Sequence, residues 1–205
     1  MNVIEVFQSI QGEGFNCGRL AVFIRFAGCN LRCSFCDTKY AYEGGKLVTP
    51  KEIIQEVNHL SPIPGLVVIT GGEPVLQNEN EMQALMFGLH VYEHEIAFET
   101  NGTMQVPLSY RGLIDWLTVS PKGPLSQLEG DELKLLYDGS QDLEQYDGFE
   151  FSYFYLQPIL PEANFIMEKG LSDEVRASFV KAIDTIKAYP KWRLSAQVQK
   201  LIGVR

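Results

Sequence analysis

The chain has 205 residues, 45% hydrophobic and 21% charged, which suits one globular domain over residues 1–205 with a substantial buried core. With 17 Lys and Arg against 26 Asp and Glu the net charge is −9 and no basic stripe stands out, so direct binding of nucleic acid or of an anionic membrane is not expected. No apolar run approaches the roughly 18 residues of a membrane span, no charged and then apolar leader opens the chain, and four clustered cysteines are no disulfide framework, which together point to a reducing cytoplasm.

Val3 to Gln8 alternates apolar and polar residues and then meets Gln11-Gly12-Glu13-Gly14, which predicts a strand running into a glycine-rich loop. Leu20 to Phe26 reads as a strand buried on both faces, with Arg25 inside it. A charge there needs a partner, either a buried ion pair or an anionic ligand at the strand's carboxyl end. Cys29, Cys33 and Cys36 follow at C-x3-C-x2-C spacing. A structural zinc site normally closes with four ligands, and this loop has three thiolates and no nearby histidine, leaving Cys17 as the fourth ligand of a zinc clip. Three thiolates can equally hold three irons of a cubane cluster and leave one iron open to a small molecule, or they can be plain buried thiols.

Thr49-Pro50-Lys51-Glu52 is a capping box with proline at the first helical position, and Ile53, Ile54, Val57 and Leu60 continue it as one helical stripe that ends at Pro62 to Gly65. The β-branched run Leu66 to Ile69 predicts a buried parallel strand leading into Thr70-Gly71-Gly72-Glu73-Pro74. Two glycines there allow close approach of backbone to a ligand, or simply a tight turn. A helix is expected over about Asn80 to Leu89, with Met82, Leu85, Met86 and Leu89 facing the core. Ile96 to Glu99 runs into Thr100-Asn101-Gly102, and Trp116 to Val119 runs into Ser120-Pro121-Lys122. Leu133 to Tyr137 and Phe151 to Leu156 read as further strands, the second leading into Gln157-Pro158. A longer helix over Ser172 to Ala188 carries Val175, Phe179, Ile183 and Ile186 on one face, and Arg193 to Val198 alternates as a last strand. Strands ending in polar residues or glycine, with helices between some of them, make an α/β fold that collects ligands at the strands' carboxyl ends. Because the chain falls short of the roughly 250 residues of a full eight-fold barrel, an open or truncated (β/α) barrel is predicted.

The cysteine triplet, with Phe35 before the last cysteine, resembles the signature of the radical S-adenosylmethionine (SAM) enzymes. That resemblance implies a 4Fe-4S cluster on Cys29, Cys33 and Cys36, with SAM chelated to the free iron and cleaved reductively to methionine and a 5′-deoxyadenosyl radical. Across nearly the whole chain the sequence is also similar to the 7-carboxy-7-deazaguanine synthase family. The matching stretches are Phe7-Gln8-Ser9-Ile10-Gln11-Gly12-Glu13-Gly14, Phe23-Ile24-Arg25, Cys36-Asp37-Thr38, Ile69 to Pro74, Glu99-Thr100-Asn101-Gly102, Val119-Ser120-Pro121-Lys122, Leu156-Gln157-Pro158-Ile159 and Trp192-Arg193-Leu194-Ser195.

The family resemblance implies contraction of 6-carboxy-5,6,7,8-tetrahydropterin to 7-carboxy-7-deazaguanine with release of ammonia. It implies SAM contacts from Phe35, Asp37, Gly72, Glu99, Ser120, Pro121, Lys122, Gln157, Pro158, Ile159 and Leu160. Pterin contacts would come from Ile10, Gln11, Gly12, Glu13, Arg25, Thr70, Gln199 and the terminal carboxylate of Arg205. Thr38 would contact Mg2+, although a threonine at that place can also simply cap the next turn. A flavodoxin- or ferredoxin-type electron donor and a homodimer are implied as well. One departure stands out: the family pattern Gln-Thr-His-Lys reads Gln197-Val198-Gln199-Lys200 here, replacing an imidazole by an amide that hydrogen-bonds but does not titrate. The rival readings are a small glycyl-radical activase, which needs a surface for a protein substrate, and a zinc-bound binding module.

Overall fold

The computed structural model describes residues 1–161 and 170–204. Among them nine strands form one sheet: β1 (Asn2–Ile10), β2 (Leu20–Phe26), β3 (Lys46–Leu47), β4 (Leu66–Gly71), β5 (Glu95–Thr100), β6 (Trp116–Val119), β7 (Glu129–Tyr137), β8 (Glu150–Pro158) and β9 (Trp192–Leu194). Their order is β3-β1-β2-β4-β5-β6-β7-β8-β9. From β2 to β9 every neighbouring pair is parallel, while β1 runs antiparallel to both β2 and β3. Since β3 and β9 stand at opposite ends of this order, the (β/α) barrel is open, as the chain length predicts.

Helix α1 (Pro50–Leu60) starts at the expected capping box, in which the Glu52 N–H donates to Thr49 Oγ1 (3.3 Å) and the Thr49 N–H donates to Glu52 Oε2 (2.7 Å). Helix α2 (Glu79–Val91) is capped by Asn78, and α3 (Asp173–Ala188) by Ser172. The strands' alternation then sorts their side chains onto two faces. Val22, Ile24, Phe26, Val67, Ile69, Ile96 and Phe98 point outward into a core with Ile53 and Val57 of α1 and Met82, Leu85, Met86 and Leu89 of α2. The methionines are therefore core, as their spacing predicts. A second outer core gathers Leu133, Leu135, Tyr137, Leu156 and Trp192 against Ala182 of α3. Each such fully buried side chain contributes roughly 1.5–3 kcal/mol.

The inner face changes character along its length. Its lower part is apolar, made of Ala21, Leu66, Val68 and Ala97 with Phe23 and Trp116 packed on them. Phe15, from the loop after β1, stacks on Trp116 with ring centroids 4.4 Å apart. Two residues further along the same strands, the parallel register brings Arg25 beside Thr70 and Glu99 beside Thr118. The inner face thus ends in charges at the carboxyl edge.

Two expected elements differ. The alternating tail Arg193 to Val198 keeps strand pairing only in Trp192–Leu194, because Ser195 to Gln197 turns inward and a short helix, α4 (Val198–Leu201), follows. In α3, Ala182 rather than Ile183 completes the buried stripe, and Ile183 is 41% exposed. Positions 175, 179, 182 and 186 follow the 3.6-residue period more closely than a stripe through 183 does.

Candidate active site

At the carboxyl ends of the strands the inner face opens into a cavity of about 260 Å³. The cysteine loop contributes Cys29, Cys33, Phe35, Cys36, Asp37 and Thr38 to its wall. The loop after β1 contributes Gln11, Gly12 and Glu13, next to Ile10. Arg25, Thr70, Gly72, Glu99, Ser120, Lys122, Gln157 and Ile159 line it from the strand ends, and Gln199 lines it from α4. Pro121, Pro158 and Leu160 are buried next to lining residues without lining the cavity themselves. Arg205 lies outside the described residues.

The cysteine loop is pinned where it leaves β2. Gly28 takes φ 92°, a left-handed conformation that suits glycine, and the Glu73 N–H donates to its carbonyl at 2.8 Å. A Cβ on Gly72 would lie 2.1 Å from the Gly28 oxygen and 3.0 Å from Cys29 Cβ. The glycine pair after β4 therefore lets one loop touch another, beyond any approach to a ligand. Glu73 is fully buried and accepts from Thr100 Oγ1 (2.8 Å), Asn101 N (2.8 Å) and Val75 N (3.2 Å). Burial raises its pKa, and these donors offset part of that cost while tying the β4 turn to the β5 turn.

All four cysteines are free thiols, and Cys17 is exposed and outside the cavity lining. Burial pushes the Cys29 thiol up, the Leu31 N–H opposes it, and the charges of Glu73, Cys33 and Cys36 push it further. A Cys29 thiol whose charge is opposed by burial and by its neighbours is a group whose thiolate form a metal cation would favour. Among the described residues no three His, Cys, Asp or Glu side chains gather as ligands of a single ion. With Cys17 exposed and outside the lining, three thiols around a shared cavity suit a multi-iron cubane better than a zinc clip completed by Cys17.

Behind the loop lies a buried charge network. Lys134 Nζ sits 2.7 Å from Glu13 Oε2 and 3.8 Å from Glu99 Oε1, and the lysine is 4% exposed. Glu99 also accepts from Gln11 Nε2 (2.9 Å) and Thr70 Oγ1 (3.3 Å), while Glu13 Oε1 accepts from Gln197 Nε2 (3.0 Å) and Gln199 Nε2 (2.9 Å). Burial opposes the charge on Glu13, but Lys134 and the amides hold its carboxyl well below the usual range. Burial likewise opposes the charge on Lys134, and Glu13, Glu99 and Glu132 together hold its ammonium well above the usual range. For Lys122, burial lowers the pKa and the nearby Lys134 adds to the effect.

Of the two roles expected for Arg25, the ion pair is present. Its Nε pairs with Glu5 Oε1 at 2.9 Å, and its side chain also forms part of the cavity wall. Thr38 precedes a single helical turn but makes no side-chain cap. Its hydroxyl instead donates to Asp37 Oδ1 (2.9 Å), and Asp37 Oδ2 pairs with Lys200 Nζ (2.7 Å).

Lys134, Gln197 and Lys200 line the cavity and were not singled out from the sequence. For Lys134 a signal was present: a lysine between Leu133 and Leu135 in an apolar strand poses the same question as Arg25. For Gln197 and Lys200 the signal was their match to the family tail pattern, but their partners lie in loops far away in sequence.

An open (β/α) barrel whose strand ends meet a three-cysteine loop is the arrangement of a radical SAM enzyme, and the Radical SAM superfamily model matches residues 23–132. The 7-carboxy-7-deazaguanine synthase of Bacteroides thetaiotaomicron is 41% identical over 203 residues, covering 98% of this chain and 97% of that one. The synthase of Burkholderia multivorans is 38% identical over 223 residues, covering 98% of each. Among solved structures, QueE from Escherichia coli aligns with a TM-score of 0.70 at 28% identity, covering 95% of this chain and 92% of that one. The chain belongs to the 7-carboxy-7-deazaguanine synthase family.

Proposed function

We propose that this chain makes 7-carboxy-7-deazaguanine from 6-carboxy-5,6,7,8-tetrahydropterin. Loss of ammonia alone balances substrate against product, so the hydrogen atom removed to start the rearrangement must be returned and SAM turns over as a cofactor. The observation that carries this reading is that one cavity joins the cysteine loop, the Gln11-Gly12-Glu13 loop and Arg25. Cys29, Cys33 and Cys36 would hold a 4Fe-4S cluster, and the chemistry such a cluster would supply is the electron for reductive cleavage of SAM.

The chain's own residues then bind and orient. Phe35, Asp37, Gly72, Glu99, Ser120, Lys122, Gln157 and Ile159 would hold SAM, with Pro121, Pro158 and Leu160 shaping the wall from behind. Ile10, Gln11, Gly12, Glu13, Thr70 and Gln199 would hold the pterin, with Arg205 completing the set through its terminal carboxylate. Arg25 spends one N–H on Glu5 and keeps the rest of its planar fork for the substrate carboxylate. Thr38 offers a hard oxygen to Mg2+, an ion that takes one or two protein ligands and completes its shell with water and substrate. A flavodoxin- or ferredoxin-type protein would supply the electron to a single-domain, homodimeric enzyme working in the cytoplasm.

The test is anaerobic cluster reconstitution followed by incubation with SAM, reductant and 6-carboxytetrahydropterin, read by mass spectrometry. The expected result is 7-carboxy-7-deazaguanine with SAM largely unconsumed. A colourless zinc protein that leaves SAM and pterin intact would overturn the proposal.

A further inference from the structure

Two consecutive side chains of α4 reach opposite walls of the cavity. Gln199 Nε2 donates to Glu13 Oε1 in the loop after β1 (2.9 Å), and Lys200 Nζ pairs with Asp37 Oδ2 in the cysteine loop (2.7 Å). The Lys200 side chain is 11% exposed and that of Asp37 is 42% exposed, so the lysine is the fixed partner and the carboxylate the one needing restraint. The Val198 N–H donates to the Gly12 carbonyl (3.0 Å), which anchors the start of the helix.

We propose that Lys200 is a positioning residue: it holds Asp37 so that the Thr38 hydroxyl turns its oxygen lone pairs into the cavity, and it ties α4 down over the site. A hydroxyl has one proton and two acceptor lone pairs. Thr38 spends that proton on Asp37 Oδ1 at 2.9 Å, which leaves the oxygen to face a cation. Lys200 engages the other Asp37 oxygen, so the carboxylate cannot swing away and free the hydroxyl to rotate. The role rests on the assignment of Thr38 to Mg2+ made above, and it adds a residue from the far end of the chain.

The test compares Lys200→Met, Lys200→Arg and Thr38→Val with the wild type in two measurements. The first is amide hydrogen exchange over residues 198–202 in the cluster-free, metal-free protein. The second is the Mg2+ concentration giving half-maximal turnover of the reconstituted enzyme. Lys200→Met should speed exchange and raise the half-saturating Mg2+ concentration by about threefold to fivefold, the scale of a partly exposed ion pair. Lys200→Arg should restore both, because a cation of similar reach remains. Thr38→Val should change the Mg2+ response while leaving exchange in α4 slow. If Thr38→Val responds to Mg2+ as the wild type does, the Mg2+ assignment fails and the Lys200 role fails with it. If Thr38→Val is impaired but Lys200→Met matches the wild type in either measurement, the Lys200 role alone is overturned.

Discussion

The inner face of the barrel carries two regions on the same strands, built to opposite specifications. Val68 and Thr70 are two residues apart on β4 and point the same way, yet Val68 sits in an apolar floor and Thr70 donates to a carboxylate in the cavity wall. Ala97 and Glu99 on β5 repeat the contrast. The floor is stabilised by burial, which depends on apolar area and tolerates exchange of one hydrophobe for another. The upper region holds ions out of water, a state that persists only while every partner stays in place. Changes in the floor should therefore cost stability alone, and changes at the rim should cost binding and chemistry, with stability lost as well where a buried ion is left unpaired.

The largest effect belongs to the cysteine loop. Alanine at Cys29, Cys33 or Cys36 should abolish iron incorporation and SAM cleavage while the fold persists, whereas Cys17→Ala should retain both, since Cys17 lies outside the cavity lining. Iron analysis of the four reconstituted variants reads this directly. A cluster lost in Cys17→Ala would reinstate the four-ligand clip.

Next comes Lys134→Met, which leaves Glu13 and Glu99 without their cation and should cost about 3–5 kcal/mol at neutral pH. The pH dependence has a definite sign. Glu13 has its folded-state pKa depressed by Lys134, so it contributes stability above its ordinary carboxyl range that is lost as the pH falls. Without Lys134 the same buried carboxyl is raised instead, and acid relieves it by protonation. The stability gap between wild type and variant should thus be widest at neutral pH and narrow as the pH falls through the carboxylate range. Denaturant unfolding at several pH values measures it, and a gap independent of pH would break the link to Glu13.

Gly12→Ala is the sharpest local probe of how the C-terminus closes the rim. The added Cβ would fall 1.8 Å from Gln199 Oε1 and 2.7 Å from the Gln199 backbone nitrogen, so α4 itself must move. Pterin affinity should fall by about tenfold or more, comparable to losing a buried polar contact, with cluster content unchanged. The smallest effect is expected far from both regions: Ile183→Ala, on the exposed side of α3, should shift stability by no more than about 0.5 kcal/mol.

How much of this was legible in the sequence follows from the range of the interactions involved. The strands around the core declare themselves through runs such as Leu66 to Ile69, and the cysteine spacing is a local pattern, so both stood in plain view. The Arg25 question was visible too, and the structure resolves it as an ion pair that also faces the cavity. What a linear reading could not supply were the partners. Gly72 touches Gly28, Glu13 meets Lys134, and Lys200 meets Asp37 only after the barrel has curved the chain back on itself. The tail misled for a related reason. Its alternation continues past Leu194, but Gln197 and Gln199 turn toward Glu13, and that pull ends the strand.

The most direct test of the division between floor and rim is equilibrium binding of 6-carboxytetrahydropterin to reconstituted Val68→Ala and Thr70→Val, with unfolding free energies measured on the same samples. Val68→Ala should lose about 2 kcal/mol of stability and bind the pterin as the wild type does. Thr70→Val should bind it markedly more weakly with the smaller loss of stability. Equal affinities in the two variants would contradict the placement of substrate at the carboxyl ends of the strands.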